Sequence, residues 1–129
     1  MEKIVVELVE QGSKEFLSGG IGDWDDICSS AVRRAKRNYP HIQLCLVIPY
    51  MSQSINRHKD YFEDMYDKII LPEWADTVHY KAAITMRNRW MIDKSGIMLA
   101  FVKRDCGGAY KAMKYAQKQG IKVLNFNEI

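Results

Sequence analysis

Cysteine and proline are scarce, at three residues each in a chain of 129. Three cysteines without a C-x-x-C pair do not make a disulfide framework. Cys28 and Cys45 sit inside apolar patterns, as small buried hydrophobes do, and Cys106 precedes a glycine pair. A reducing, cytoplasmic setting is expected. Charge of one sign is also lacking, with a net value of +3. That is too small for a nucleic-acid partner, which calls for a basic stripe. No apolar run reaches the roughly 18 residues of a membrane span, so no membrane partner is expected. The amino terminus carries acids and no apolar signal region, so no signal peptide is expected. Repeats, linkers and low-complexity stretches are absent. His41, His58 and His79 have no metal-ligand spacing, and no Ser/His/Asp or Cys/His arrangement stands out. Neither a metal nor a cofactor is expected.

What is present fits one α/β domain over 1–129. Hydrophobic residues make up 47% and charged residues 27%, which suits a packed core under a polar surface. "EKIVVELVEQ" (2–11) carries Ile4, Val5, Leu8 and Val9 at helical spacing, with Gly12 as a stop. "KEFLSG" (14–19) reads as a short strand. Trp24, Ile27, Cys28, Ala31, Val32 and Ala35 form an apolar stripe on a helix over about 23–38. "IQLCLVIPY" (42–50) is nearly continuous apolar, as strands buried on both faces are. "MSQSINRHK" (51–59) reads as a polar loop. Tyr61, Phe62, Met65, Tyr66 and Ile69 mark a helix, and "ADTVHY" (75–80) a weak strand. "AAITMRNRWMIDKS" (82–95) reads as a helix and "GIMLAFVK" (96–103) as a second buried strand. Gly107-Gly108 opens a helix with Ala109, Ala112, Met113 and Ala116 facing inward. Gly120 stops it before the strand "IKVLNF". Alternating strands and helices predict a Rossmann-like, mostly parallel sheet flanked by helices. In such sheets ligands bind beyond the carboxyl ends of the strands.

Two glycine clusters fall at such ends. Gly19, Gly20 and Gly22, in "FLSGGIGDWDD", lie between a strand and a helix. Gly107, Gly108 and Ala109 repeat the arrangement after another strand. Free N–H groups at a helix start bind anions, and missing Cβ atoms let a phosphate come close. An ordinary strand-to-helix turn accounts for the same residues. Neither cluster is a G-x-G-x-x-G fingerprint, and no Walker lysine follows. Arg87 and Asn88, in "MRNRW", can reach a phosphate or a base edge. They equally fit a solvated helix face with Trp90 and Met91 in the core. Tyr50, after Pro49 at a strand end, can stack on a base or pack on the next loop. Asp23, Asp25 and Asp26 can hold a metal or a ribose, but acids in a first helical turn are ordinary dipole partners.

In order along the chain, "FLSGGIGDWD", "LCLVIPY", "KAAITMRNRWMIDKSGIMLAFV" after a Tyr, and "GGAYKAMKYAQKQGIKVLNF" resemble the SLOG superfamily. Within this superfamily, related to DprA and the lonely-guy proteins, the YpsA-like branch is the nearest match. The resemblance implies a Rossmann-like domain binding a nucleotide or nucleotide-derived molecule. The implied pocket residues are Gly19, Gly20 and Gly22, Tyr50, Arg87 and Asn88, and Gly107, Gly108 and Ala109. It also implies a sensor or sequestering protein, with a phage-related context among its settings. The lonely-guy branch hydrolyses nucleoside monophosphates with a Glu shortly after its second glycine motif. Here "CGGAYKA" offers Lys111 and Ala112 in that region, so a non-enzymatic binder is the expectation. Glu73 and Asp93 are the remaining acids that could serve a hydrolase. A small assembly domain with a vestigial pocket is the other alternative.

Relatives open with a buried strand before their first helix, whereas this chain starts inside that helix. Either the sequence is truncated ahead of that helix or a central strand is lacking; a lacking strand, with an apolar helix at the start, leads to the expectation of a homo-oligomer, a dimer first of all.

Overall fold

The computed structural model describes residues 1–128. It comprises two compact units, Met1–Asp76 and Thr77–Ile129. All paired strands run parallel and are flanked by helices, as the sequence predicts.

The first unit contains α1 (Glu2–Glu10), β1 (Glu15–Ser18), α2 (Gly22–Lys36), β2 (Gln43–Val47), α3 (Gln53–Arg57), α4 (Lys59–Met65) and β3 (Lys68–Ile70). Its sheet has the order β1-β2-β3. Ser18 sits opposite Leu46, and Cys45 opposite Lys68. The central strand β2 is buried from Leu44 to Val47, which is why its sequence shows no alternation. The core joins Val5 and Val9 of α1 to Ala31, Val32 and Ala35 of α2, and to Ile42 and Leu44. The apolar face of α1 is therefore covered within its own unit. Ile27 departs from the expected stripe and is 50% exposed, while Ser29, two residues on and on the opposite side of the helix, is buried.

Three readings of this region are corrected. The stretch 51–59 is not all loop. Ser52 caps α3, its Oγ accepting the Ile55 N–H at 3.3 Å. Helix α4 ends at Met65, and Ile69 belongs to β3. The expected strand at 75–80 is absent: residues 75–78 form turn and bend structure, His79 caps α5 (Tyr80–Asp93) and Tyr80 begins it. The helical spacing of Tyr61, Phe62, Met65 and Ile69 concealed the break, because only the first three share α4.

The second unit contains α5 (Tyr80–Asp93), β4 (Ile97–Ala100), α6 (Gly108–Lys118), β5 (Lys122–Asn125) and a 3-10 turn, Phe126–Glu128. Its β4 and β5 pair in parallel, Ile97 opposite Lys122. β4 is half-buried along most of its length, not buried on both faces. Ala100, Val102 and Met113 form the core, with Met98, Tyr110 and Val123 against them. Met113 and Ala116 face inward as expected, whereas Ala109 is exposed. Asn125 ties the chain leaving β4 to the end of β5. Its Oδ1 accepts the Val102 N–H at 3.0 Å, and its Nδ2 donates to the Val102 carbonyl at 3.2 Å.

A comparable clasp holds the entry to β3. Asp67 Oδ2 accepts the Leu44 N–H at 2.8 Å, and Oδ1 pairs with the Lys36 ammonium. Partial burial pushes the Asp67 carboxyl up, but the Leu44 N–H and Lys36 outweigh it, so the carboxyl lies below its ordinary value. A depressed carboxyl stabilises the fold above its unfolded pKa, and that contribution is lost as pH falls through the folded value. Asp67→Asn is expected to cost about 1–2 kcal/mol at pH 7, the side chain being partly solvated. In urea unfolding the gap between wild type and variant should close below about pH 4; a gap that persists unchanged at pH 2 would refute the assignment.

Candidate functional site

In the first unit, the turn from β1 to α2 lies at the carboxyl end of β1. Gly20 has φ +68°, a conformation that costs other residues roughly 1–2 kcal/mol. A Cβ on Gly20 would stand 2.5 Å from Leu46 Cδ1. The turn therefore passes close over the Leu46 side chain, which would have to shift to admit any residue but glycine.

The backbone donors of this turn have internal partners. Ser18 Oγ accepts the Gly20 N–H at 3.0 Å, and Asp25 Oδ2 accepts the Ile21 N–H at 3.0 Å. Beneath them, the buried Ser29 hydroxyl donates to Ser18 Oγ at 3.4 Å. Ser29 also hydrogen-bonds the Tyr66 hydroxyl; burial raises that phenol, and the bond to Ser29 and the Arg33 charge partly offset it. Asp23 and Asp25 stand in the first turn of α2. The amino end of α2 is thus already matched with negative charge. Gly22 opens α2 at the surface, Gly19 is half-buried, and Tyr50 is half-buried in the bend after β2.

Cys28 lies along the same helix. Burial first, then the Asp25 charge, pushes its thiol up to about 12. It stays protonated at neutral pH and is a poor nucleophile. Burial likewise raises the Cys45 thiol.

In the second unit, α6 begins differently. Gly107 precedes it with φ +93° and ψ 176°, a region essentially restricted to glycine. No side chain caps this end, and its first turn has no acid. Cβ atoms added at Gly107 or Gly108 would meet nothing within 4 Å. Gly107, Gly108 and Ala109 are all exposed.

Arg87 is 3% exposed, and its Nε donates to Asn88 Oδ1 at 2.9 Å. It shares the inward face of α5 with Ala83, four residues earlier, as helical periodicity requires. The solvated-face alternative for Arg87 is therefore corrected. Trp90 and Met91 are half-buried rather than core residues. Asp93, a reserve candidate for acid chemistry, accepts the Tyr115 hydroxyl at 2.7 Å.

Gly19, Gly20, Gly22 and Tyr50 belong to the first unit, and Arg87, Asn88, Gly107, Gly108 and Ala109 to the second. Within the first, Ser18, Ser29 and Leu46 shape the turn and were not singled out from sequence. Ser18 directly precedes the glycine pair, which is the one available signal, since serines close such turns through their own side chains. Among the described residues, no group of three or more His, Cys, Asp or Glu is placed to hold a metal ion. No helix among them is long and apolar enough to cross a membrane.

No family model matches the chain. It is similar to a UPF0398 protein. That relative, from Halalkalibacterium halodurans, is 22% identical over 113 residues, covering 84% of this chain and 60% of its own length. The chain thus spans about three-fifths of the curated relative it matches. The UPF0398 designation names no ligand or reaction.

The two turns predict different costs for one substitution. Gly107→Ala should lose about 1–3 kcal/mol of local stability from backbone strain alone. Gly20→Ala should lose more, about 2–5 kcal/mol, because overpacking against Leu46 adds to the strain. Amide exchange of β4 for Gly107→Ala, and of β2 for Gly20→Ala, measures each. Equal costs would contradict the close approach to Leu46.

Proposed function

We propose that this chain is a non-enzymatic SLOG-type binding domain for a nucleotide or nucleotide-derived ligand. The relation to a UPF0398 protein and the parallel α/β units support the assignment. One observation carries the ligand class. The amino end of α6 follows a parallel strand at its carboxyl end, lacks a side-chain cap and acids, and is open above Gly107 and Gly108. Such a helix end presents about half a positive charge and aligned N–H groups, which suit a phosphate.

The proposed contacts in this unit are the N–H groups of Gly107, Gly108 and Ala109, with Arg87 and Asn88 contributing charge and an amide. In the first unit, Gly19, Gly20, Gly22 and Tyr50 are the proposed contacts. The N–H groups of Gly20 and Ile21 would exchange Ser18 and Asp25 for the ligand. After Gly108 the sequence runs Ala-Tyr-Lys-Ala, with no carboxylate to act as the general acid or base of glycoside hydrolysis. The setting we propose is the cytoplasm, with the chain acting as a sensor or sequestering protein. Homodimer formation is retained in the proposal, supported by the exposed Ile21, Ile27 and Tyr61 rather than by α1.

Gly108→Ala separates binding from folding. Alanine inside a helix is favoured over glycine by roughly 0.5–1 kcal/mol, so the variant should be no less stable than wild type. Its Cβ should nonetheless obstruct a phosphate and weaken binding about tenfold or more, equal to about 1.4 kcal/mol. Calorimetric titration with nucleoside mono-, di- and triphosphates, cyclic nucleotides and ADP-ribose-type molecules checks this. Failure of all of them to bind, or equal binding by the variant, would refute the reading. Release of free base from a nucleoside monophosphate would favour the hydrolase instead.

A further inference from the structure

The first unit also has a cleft at the opposite, amino ends of its strands. It is an open groove between α2 and the connection from α4 to β3, with a volume of about 480 Å³. Small-molecule sites occupy roughly 300–1,000 Å³. Val32 and Leu44, each 3% exposed, give it an apolar floor, beside the half-buried Met65 and Tyr66. Arg33, Lys36 and Arg37 line it from α2, and Glu63, Asp64 and Asp67 from the other side. These charges cancel, so the cleft does not favour a purely anionic ligand.

Most of the charges are committed. Arg33 Nη1 donates to the Met65 carbonyl at 3.2 Å, tying α2 to the end of α4. Its guanidinium carbon lies 6.0 Å from the Tyr66 ring centroid. Lys36 is paired with Asp67, and Lys59 lies 3.7 Å from Glu63. The Arg33 and Lys36 contacts tie the two walls together, while ordering of the Arg37 and Asp64 side chains is left to the ligand. Two charges are left over. Among the described residues, neither the Arg37 guanidinium nor the Asp64 carboxylate has a hydrogen-bond or ion-pair partner.

We infer that this cleft binds a zwitterionic small molecule of the α-amino-acid class with an apolar side chain. The ligand carboxylate meets Arg37, whose planar fork suits it. The ligand ammonium meets Asp64, and the side chain rests on Val32, Leu44 and Tyr66. This inference is independent of the nucleotide reading, which concerns the other end of the strands and the start of α6.

Titration of the full chain with L-leucine and L-phenylalanine, followed by amide chemical shifts, tests it. Saturable shifts are expected at Val32, Leu44 and Tyr66. N-acetyl-leucine, which lacks the ammonium, and leucinamide, which lacks the carboxylate, should each bind about tenfold more weakly or worse. Arg37→Gln and Asp64→Asn should weaken binding similarly with little change in the thermal midpoint, because neither side chain has a hydrogen-bond or ion-pair partner among the described residues. Arg37→Gln should make the carboxylate irrelevant, so that leucine and leucinamide then bind alike. Absence of saturable shifts, undiminished binding of the singly charged analogues, or tighter binding of adenosine monophosphate in this cleft would overturn the proposal.

Discussion

The constraint on which the first unit depends is the double burial of β2. With Leu44 to Val47 covered on both faces, every polar group at the rim of that strand needs a partner inside the protein. The Gln43 N–H donates to the Lys14 carbonyl, the Leu44 N–H to Asp67, and the Ile48 N–H to the Ile70 carbonyl. Side-chain volume is equally constrained. Leu46 fills the space beneath the turn into α2, so a Cβ at Gly20 would have to displace the Leu46 side chain. The position of the first glycine turn follows from the packing of the strand below it.

The two glycine turns then differ in what they leave for a partner. At the start of α2, Ser18 and Asp25 satisfy the N–H groups of Gly20 and Ile21, and acids match the helix dipole. A ligand entering there competes with groups that the protein already supplies. At the start of α6, no side chain plays that part. The electrostatic conditions for holding a phosphate are therefore better at the second turn, although the first has more glycines. This asymmetry arises from which side chains follow each turn, and glycine count alone does not reveal it.

Elements with strong periodicity were readable from sequence: α1, α2, α5, α6 and β2 fall close to their expected bounds. The region from 51 to 79 was not. Its helices α3 and α4 are short, and β3 has only three residues, too few for a period to declare itself. Ile69 fitted a helical stripe by spacing and a strand by its β-branched side chain, and pairing with Leu46 decided the matter. The candidate glycines were visible as motifs, but not what surrounds them. Asp25 reaching back to Ile21, and Leu46 beneath Gly20, are contacts whose partners no local pattern identifies. Arg87 was visible as a charge but not as a buried one, because an arginine on the inward face of a helix breaks the binary pattern that reveals that face.

The central functional claim is that the amino end of α6 receives a phosphate. Its most direct test is titration of the isotope-labelled chain with a nucleoside phosphate while the backbone amides of Gly107, Gly108 and Ala109 are observed. N–H groups that donate to an incoming anion should shift strongly and saturably, in step with one another. If a nucleotide binds and those three amides stay unmoved while others shift, the account of α6 is wrong.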